Sequence, residues 1–177
     1  MIDIKLLISK AFFSLTSRNV PFVCKGEGMK VIGYPYYCWN PNVKLGNNVQ
    51  LYPGVTFAGN GEIIIGNNVK IGNNVIINAS KSGGVSIGDG TIIAANSYII
   101  DSNHGIKRGQ PIFSQPVDGE DLYIGKNVWI AANCVIAKGS FIGDGAVIGA
   151  NSFLNTRVEA NQVFAGSPAK LIKQRVW

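Results

Sequence analysis

The chain has 177 residues, enough for one domain with a core of its own, and its 16 Lys and Arg against 10 Asp and Glu give a formal net charge of +6. The basic residues are dispersed and not interleaved with aromatics, apart from a few gathered at the C-terminus, which excludes a nucleic-acid footprint. Three cysteines, Cys24, Cys38 and Cys134, are an odd number without metal-ligand spacing, so buried free thiols are expected rather than disulfides or a metal site.

The opening stretch MIDIKLLISKAFFSL carries Asp3, Lys5 and Lys10 among its apolar residues and has no small-residue cleavage site. It reads as neither a signal peptide nor a spanning helix, and the protein is expected in the cytoplasm. Ile4, Leu7, Ile8, Ala11, Phe12 and Leu15 recur at helical spacing, which predicts an amphipathic helix over residues 2–17. Its apolar face is read as packing on the body of the protein or on a neighbouring subunit. Peripheral membrane contact, with Lys5, Lys10 and Arg18 near lipid head groups, is the alternative.

After this N-terminal helix and lead-in (residues 1–38), a six-residue beat takes over. Its lead positions are Trp39, Leu45, Leu51, Phe57, Ile65, Ile71, Ile77, Ile87, Ile93, Ile99, Ile124, Ile130, Ile136, Ile142, Ile148 and Leu154, all sixteen of them apolar. The fourth position is Asn or Gly in thirteen segments, although these two types make up only 40 of the 177 residues, so the slot is not filled by chance. Asn and Gly accept positive φ most cheaply, and a fixed slot for them marks one left-handed turn residue every six residues. The fifth position is small or β-branched, as in Val49, Val55, Val69, Val75, Thr91, Ser97, Val128, Cys134, Ser140, Ala146 and Ser152. Neither helical periodicity nor strict alternation fits this pattern. Short strands stacked around a narrow core do, which is a parallel β-helix.

Segments such as IGNNVKIGNNVI, IGDGTIIAANSYI and IGDGAVIGANSFL, followed by FAGSPAK, resemble the hexapeptide-repeat acyltransferases over residues 39–170. The resemblance implies an all-β fold, a left-handed parallel β-helix with three segments per coil. Its handedness comes from the resemblance alone, since the usual crossover rule would give the opposite hand. The expected organisation is a β-helix domain over 39–165, interrupted by a loop at 103–123, and a C-terminal coenzyme A-contacting tail at 166–177.

The beat gains four residues between Ile77 and Ile87 and is interrupted by a long insertion between Ile99 and Ile124. Long loops inside a repeat array are usually functional. This one begins with the single histidine of the chain, in DSNHGI, where the family carries its catalytic histidine. The resemblance therefore implies His104 as general base. Imidazole, with an ordinary pKa near 6.5, can take a hydroxyl proton at neutral pH, and the thioester of acetyl-CoA is already activated, so no acyl-enzyme or metal is required. Asp101 or a backbone carbonyl would fix the tautomer.

The resemblance further implies Asn78, Asp101 and Asn103 as acceptor-binding residues. Trp129 corresponds to an aromatic that lines the acyl-transfer site, or else packs at a subunit interface. Backbone near Ala131, Ala132, Gly149 and Ala150 would take the pantetheine arm, Pro168 marks the coenzyme A motif, and Lys170, Lys173 and Arg175 would meet the phosphates or stay solvated. Loop residues Lys107, Arg108, Gln110, Asp118, Glu120 and Asp121 are polar enough to meet a sugar. The family assembles as homotrimers with sites between subunits. The expected function is acetyl-CoA-dependent O-acetylation of a sugar hydroxyl on a cell-surface polysaccharide or its precursor. The alternatives are N-acetylation of an amino sugar and a non-enzymatic β-helical scaffold. A metal hydratase on the same fold would need several histidines per subunit.

Overall fold

A six-residue period closes a triangle when each side is a strand of a few residues and each corner turns on one left-handed residue. The computed structural model describes residues 22–24, 26–33 and 35–176, and it shows six such triangular coils and two sides of a seventh. The helix expected over residues 2–17 lies outside the described residues.

The first coil comprises β1 (Phe22–Cys24), β2 (Lys30–Val31) and β3 (Tyr36–Trp39); the second, β4 (Asn42–Leu45), β5 (Gln50–Leu51) and β6 (Thr56–Gly59); the third, β7 (Glu62–Ile65), β8 (Lys70–Ile71) and β9 (Ile76–Ala79). The fourth holds β10 (Gly84–Ile87), β11 (Ile92–Ile93) and β12 (Tyr98–Ile100), and a hairpin outside the coil follows it, β13 (Ser102–His104) and β14 (Val117–Gly119). The fifth is β15 (Leu122–Ile124), β16 (Trp129–Ile130) and β17 (Val135–Ile136), and the sixth β18 (Phe141–Ile142), β19 (Val147–Ile148) and β20 (Phe153–Leu154). In the seventh, β21 (Arg157–Val158) and β22 (Gln162–Gly166) are followed by β23 (Ala169–Gln174), which folds back antiparallel on β22. Equivalent strands stack in parallel into three ladders of seven, seven and six strands, with β23 added antiparallel to the second, a left-handed β-helix.

Fifteen of the sixteen lead residues form the core, none more than 4% exposed, and the fifth-position residues from Val49 to Ser152 are buried beside them. The exception is Trp39, which is 73% exposed. In the third ladder Tyr37 pairs with Phe57 and Trp39 with Gly59, so Tyr37 takes the inward slot, its ring 5.7 Å from that of Phe57. Trp39 turns outward at φ 67°. Among the described residues the stack therefore begins at Phe22, ahead of the first legible segment.

Eleven of the thirteen predicted turn residues have positive φ, between 52° and 81°. Asn42 and Asn60 do not, because Trp39 and Gly59 take the left-handed conformation at those corners. The thiols divide: Cys134 is buried and free as expected, whereas Cys38 is free but exposed on the outer face of β3.

From coil two to coil six, inward residues of the first and second ladders are six residues apart, and so are those of the second and third. All variation in length falls at the third corner, where the chain returns to the first ladder. The step is eight residues from Phe57 to Ile65, ten from Ile77 to Ile87, twenty-five from Ile99 to Ile124, six from Ile136 to Ile142 and four from Leu154 to Val158. Every irregularity of the sequence is thus gathered along one edge of the prism.

Candidate active site

The long insertion at the third corner is a clamped hairpin. Ser102 pairs with Gly119, Asn103 with Asp118 and His104 with Val117. At its base Asp101 is fully buried, and its carboxylate accepts hydrogen bonds from the Ser80 amide at 2.9 Å and the Ser80 hydroxyl at 3.2 Å. The Asp101 carbonyl accepts the Glu120 amide at 2.9 Å, which ties the two hairpin strands together where they leave the coil. Burial pushes the Asp101 carboxyl above its ordinary value, with the Ser80 and Ser102 hydrogen bonds opposing that rise. Two further ties hold the second strand: Ser82 Oγ accepts the Gly119 amide at 3.1 Å, and Lys138 pairs with Asp118.

Beyond the paired rungs, the buried Gln115 organises the tip. It accepts the Lys107 amide at 2.7 Å and donates to the carbonyls of Lys107 and Gln110 at 3.0 and 3.1 Å. The tip exposes Ile106 and Phe113, which are 84% and 87% accessible.

His104 stands on the last paired rung, exposed, and its imidazole makes no hydrogen bond or ion pair among the described residues. Among the described residues neither Asp101 nor a backbone carbonyl holds its tautomer; the Asp101 carboxylate is turned to Ser80. Asn103 is exposed on the same strand. Asn78 is half-buried on β9, where its side-chain Nδ2 donates to the Tyr98 hydroxyl at 3.3 Å and its backbone carbonyl accepts the Asp101 backbone amide at 3.4 Å. Asn78 and Asp101 therefore belong to one hydrogen-bonded base beneath His104, and Asp101 is closed to any acceptor in this chain.

The other expected residues lie elsewhere on the prism. Trp129 is 52% exposed on the outer face of the second ladder, between Ile92 and Val147. Ala131, Ala132, Gly149 and Ala150 line the second corner, between the second and third ladders. The amides of Ala131 and Gly149 are already bonded, to the carbonyls of Ile148 at 2.9 Å and Phe164 at 2.8 Å. One residue further on, the amides of Asn73, Ala95, Ala132 and Ala150 form a column with no acceptor among the described residues. The first corner differs. There the corresponding amides of Glu27, Asn47, Asn67 and Lys126 are taken by the side chains of Asn47, Asn67, Asp89 and Asp144, at 2.7 to 2.8 Å.

Pro168 sits in the turn between β22 and β23, after a cis Ser167–Pro168 bond. Lys170 and Lys173 are exposed on β23, while Arg175 donates through Nη1 to the Gly145 carbonyl at 2.6 Å. Sequence reasoning missed Ser80, Gln115 and Lys138 as supports of the hairpin, and Asn73 and Ala95 in the amide column. Only the last two had a readable signal, their repeat slot. Among the described residues no group of three or more His, Cys, Asp or Glu side chains could hold a metal.

Residues 121–156 match the family description bacterial transferase hexapeptide (six repeats), and residues 62–100 the hexapeptide repeat of succinyl-transferase. A protein of Escherichia coli (strain K12) named for O-acetyl transfer in lipopolysaccharide biosynthesis, WbbJ, is 33% identical over 156 residues, which is 82% of this chain and 79% of that protein. Among solved structures, AntD, an N-acyltransferase from Bacillus cereus in complex with dTDP and 3-hydroxybutyryl-CoA, superposes with a TM-score of 0.77 at 19% identity, over 92% of this chain and 88% of that one. The hexapeptide-repeat acetyltransferase VCA0836 from Vibrio cholerae O1 biovar eltor, complexed with acetyl coenzyme A, has a TM-score of 0.63 at 20% identity, over 93% of this chain and 77% of that one. Both share the fold.

Proposed function

The chain belongs to the hexapeptide-repeat acyltransferases, and from that premise we propose that it transfers acetyl from acetyl-CoA to a sugar hydroxyl of a cell-surface polysaccharide or its precursor, with His104 as general base. The observation that carries the reading is a lone, exposed imidazole without a partner among the described residues, held on a hairpin that is clamped at its base, flank and tip. A histidine free of internal bonds on an otherwise over-determined support is arranged to meet something outside the chain.

In this mechanism the imidazole takes the proton of the acceptor hydroxyl as its oxygen attacks the thioester carbonyl. The C–S bond then breaks, and the imidazolium returns the proton to the departing thiolate. The pantetheine arm, which carries amide carbonyls, suits the open amide column of the second corner, where Ala132 and Ala150 leave the backbone uncovered. Lys170 and Lys173 are free to meet phosphates, and Arg175 keeps donors beyond the one given to Gly145. The acceptor reading rests on the relative at 33% identity, which supports oxygen over nitrogen as the acylated atom.

The second and third corners of one chain are separated by the full width of the third ladder, on the order of 15 Å for a side of about five extended residues including its flanks. A homotrimer, in which the hairpin of one copy meets the second corner of the next, would close that gap and cover Ile106, Phe113 and Trp129. Among the described residues no helix is long and apolar enough to cross a membrane, which is compatible with a cytoplasmic enzyme.

The test is His104→Ala, assayed by thiol release from acetyl-CoA with oligosaccharides from the host's surface polysaccharide as acceptors. His104 is exposed and unbonded, so the variant should fold with a stability change within about 0.5 kcal/mol. It should lose on the order of 10² to 10⁴ in kcat/KM, the usual worth of a positioned base. Near-full activity with the true acceptor would remove the base from the mechanism.

A further inference from the structure

On the outer face of the first ladder, side chains stand in two columns. Next to the third corner run Asn42, Glu62, Gly84 and Asp121; beside them run Lys44, Ile64, Ser86, Tyr123, Phe141 and Arg157. The fourth coil contributes Gly84 and Ser86 where its neighbours contribute Glu62 and Ile64 on one side and Asp121 and Tyr123 on the other. A rung is missing from both columns at once, and the result is a notch of about 330 Å³ floored by Gly83, Gly84 and Val85.

Its walls differ in chemistry. Tyr123 is stacked on Phe141 at 5.1 Å, and the Arg157 guanidinium lies 3.8 Å over the Phe141 ring, so the aromatic wall is braced from behind. Ile64 faces it across the gap. The Glu62 carboxylate is paired with Lys44 at 2.5 Å, while Asp121 has no partner among the described residues. The notch also adjoins the hairpin base, since a side-chain atom on Gly83 would meet the Asp101 carboxylate at 2.7 Å and the Glu120 amide at 2.9 Å.

We propose that this notch binds one pyranose ring of a saccharide acceptor, at a subsite distinct from the hydroxyl that is acylated. The proposal rests on the sugar-acyltransferase reading above and adds a place and a geometry to it. The strands bearing the walls are two ladder spacings apart, roughly 9.6 Å, so a ring at the empty rung lies roughly 4.8 Å from Tyr123 and from Ile64, a stacking distance. Its C–H face meets the aromatic wall, and its hydroxyls meet Ser86, Asp121 and the Glu62–Lys44 pair. That set offers donors and acceptors together, which suits neutral hydroxyls better than an ammonium group. The hairpin carrying His104 starts at the edge of the notch, so a saccharide seated there presents a neighbouring residue toward the histidine.

Ligand-observed NMR with the neutral methyl glycosides of glucose, galactose, mannose and rhamnose, and with methyl glucosaminide as the cationic probe, tests binding without acetyl-CoA. Ser86→Leu refills the missing rung and Tyr123→Ala removes the wall, and both are read beside light scattering and thermal unfolding. At least one neutral glycoside should bind the parent, and each variant should weaken it about tenfold while mass and melting hold. Absent binding, equal binding by parent and variants, tenfold preference for the glucosaminide, or a changed mass in Ser86→Leu would each overturn the subsite, the last by making the notch an interface between copies. Thiol release separates this from the enzymatic reading: glycoside binding without turnover on any acceptor sinks the reading and keeps the notch, whereas turnover unaffected by Ser86→Leu does the reverse.

Discussion

The most exacting consequence concerns Asp101, the buried carboxylate beneath the hairpin. Asp101→Ala removes the acceptor of the Ser80 amide and hydroxyl, both within 3.2 Å, in a site that water does not reach. An orphaned amide of this kind costs about 1 to 3 kcal/mol, partly offset because a desolvated charge disappears with it, so a net loss of about 2 kcal/mol is expected. Asp101→Asn keeps one oxygen for the amide and should lose about half as much. Activity should fall further than stability explains, since a shift of about 1 Å at a catalytic group can cost on the order of 10²-fold. The pH dependence has a definite sign. Burial raises the carboxyl above 3.8, so the folded protein holds this proton more tightly than the unfolded chain. The contribution of the protonated group is fully present below the unfolded value and is lost as pH rises through the folded one. In urea melts, the advantage of the parent over Asp101→Asn should therefore be greatest in acid and shrink as pH rises. An advantage that grows with pH would refute the dominance of burial over the Ser80 and Ser102 hydrogen bonds at this carboxyl, and an Asp101→Ala variant within about 0.5 kcal/mol of the parent would refute the clamp.

Ala132→Pro deletes one amide of the open column. Pro53 occupies the same slot in coil two, so the corner accepts proline; the fold should hold while coenzyme A binding, measured by calorimetry, weakens roughly three- to tenfold, the worth of one hydrogen bond. Thr91→Val tests the core. Val69 fills the same slot one coil earlier, so shape is conserved, but the hydroxyl that donates to the Gly125 carbonyl at 2.8 Å and accepts the Val128 amide at 3.2 Å is lost. Chemical denaturation should show a loss of about 1 to 3 kcal/mol with an unchanged slope.

The fold was legible because each slot of the repeat has one physical requirement: apolar bulk at the lead, a small inward residue at the fifth position, and tolerance of positive φ at the fourth. These requirements are local, and any segment that meets them declares itself. The start of the stack was not legible for the same reason. Trp39 satisfies the lead slot as well as Tyr37 does, and only pairing with Phe57 and Gly59 in the next coil selects Tyr37. Asn60 likewise satisfies the turn slot, but Gly59 reaches positive φ one residue earlier, where the corner is two residues longer.

The site was legible to a different degree at each corner. At the first corner the third slot carries Asn47, Asn67, Asp89, Lys126 and Asp144; the four with side-chain oxygens each take the amide of the preceding coil, and the amides of Asp89, which faces Lys126, and Asp144 have no acceptor among the described residues. At the second corner the same slot carries Pro53, Asn73, Ala95, Ala132 and Ala150. Alanine has no oxygen to offer, and Asn73 stands over a proline with no N–H to receive, so the amides from Asn73 onward stay open. An open amide column, the proposed seat of the pantetheine arm, can thus be read from one slot of the repeat by asking which side chains can satisfy a neighbour's backbone. His104 admits no such reading. It sits in an insertion without period, and its setting depends on Ser80, Ser82, Gln115 and Lys138, whose approach is fixed only when the third corner stacks. Resemblance could name the histidine, but only the folded edge explains why it stands exposed and unpaired on a clamped hairpin.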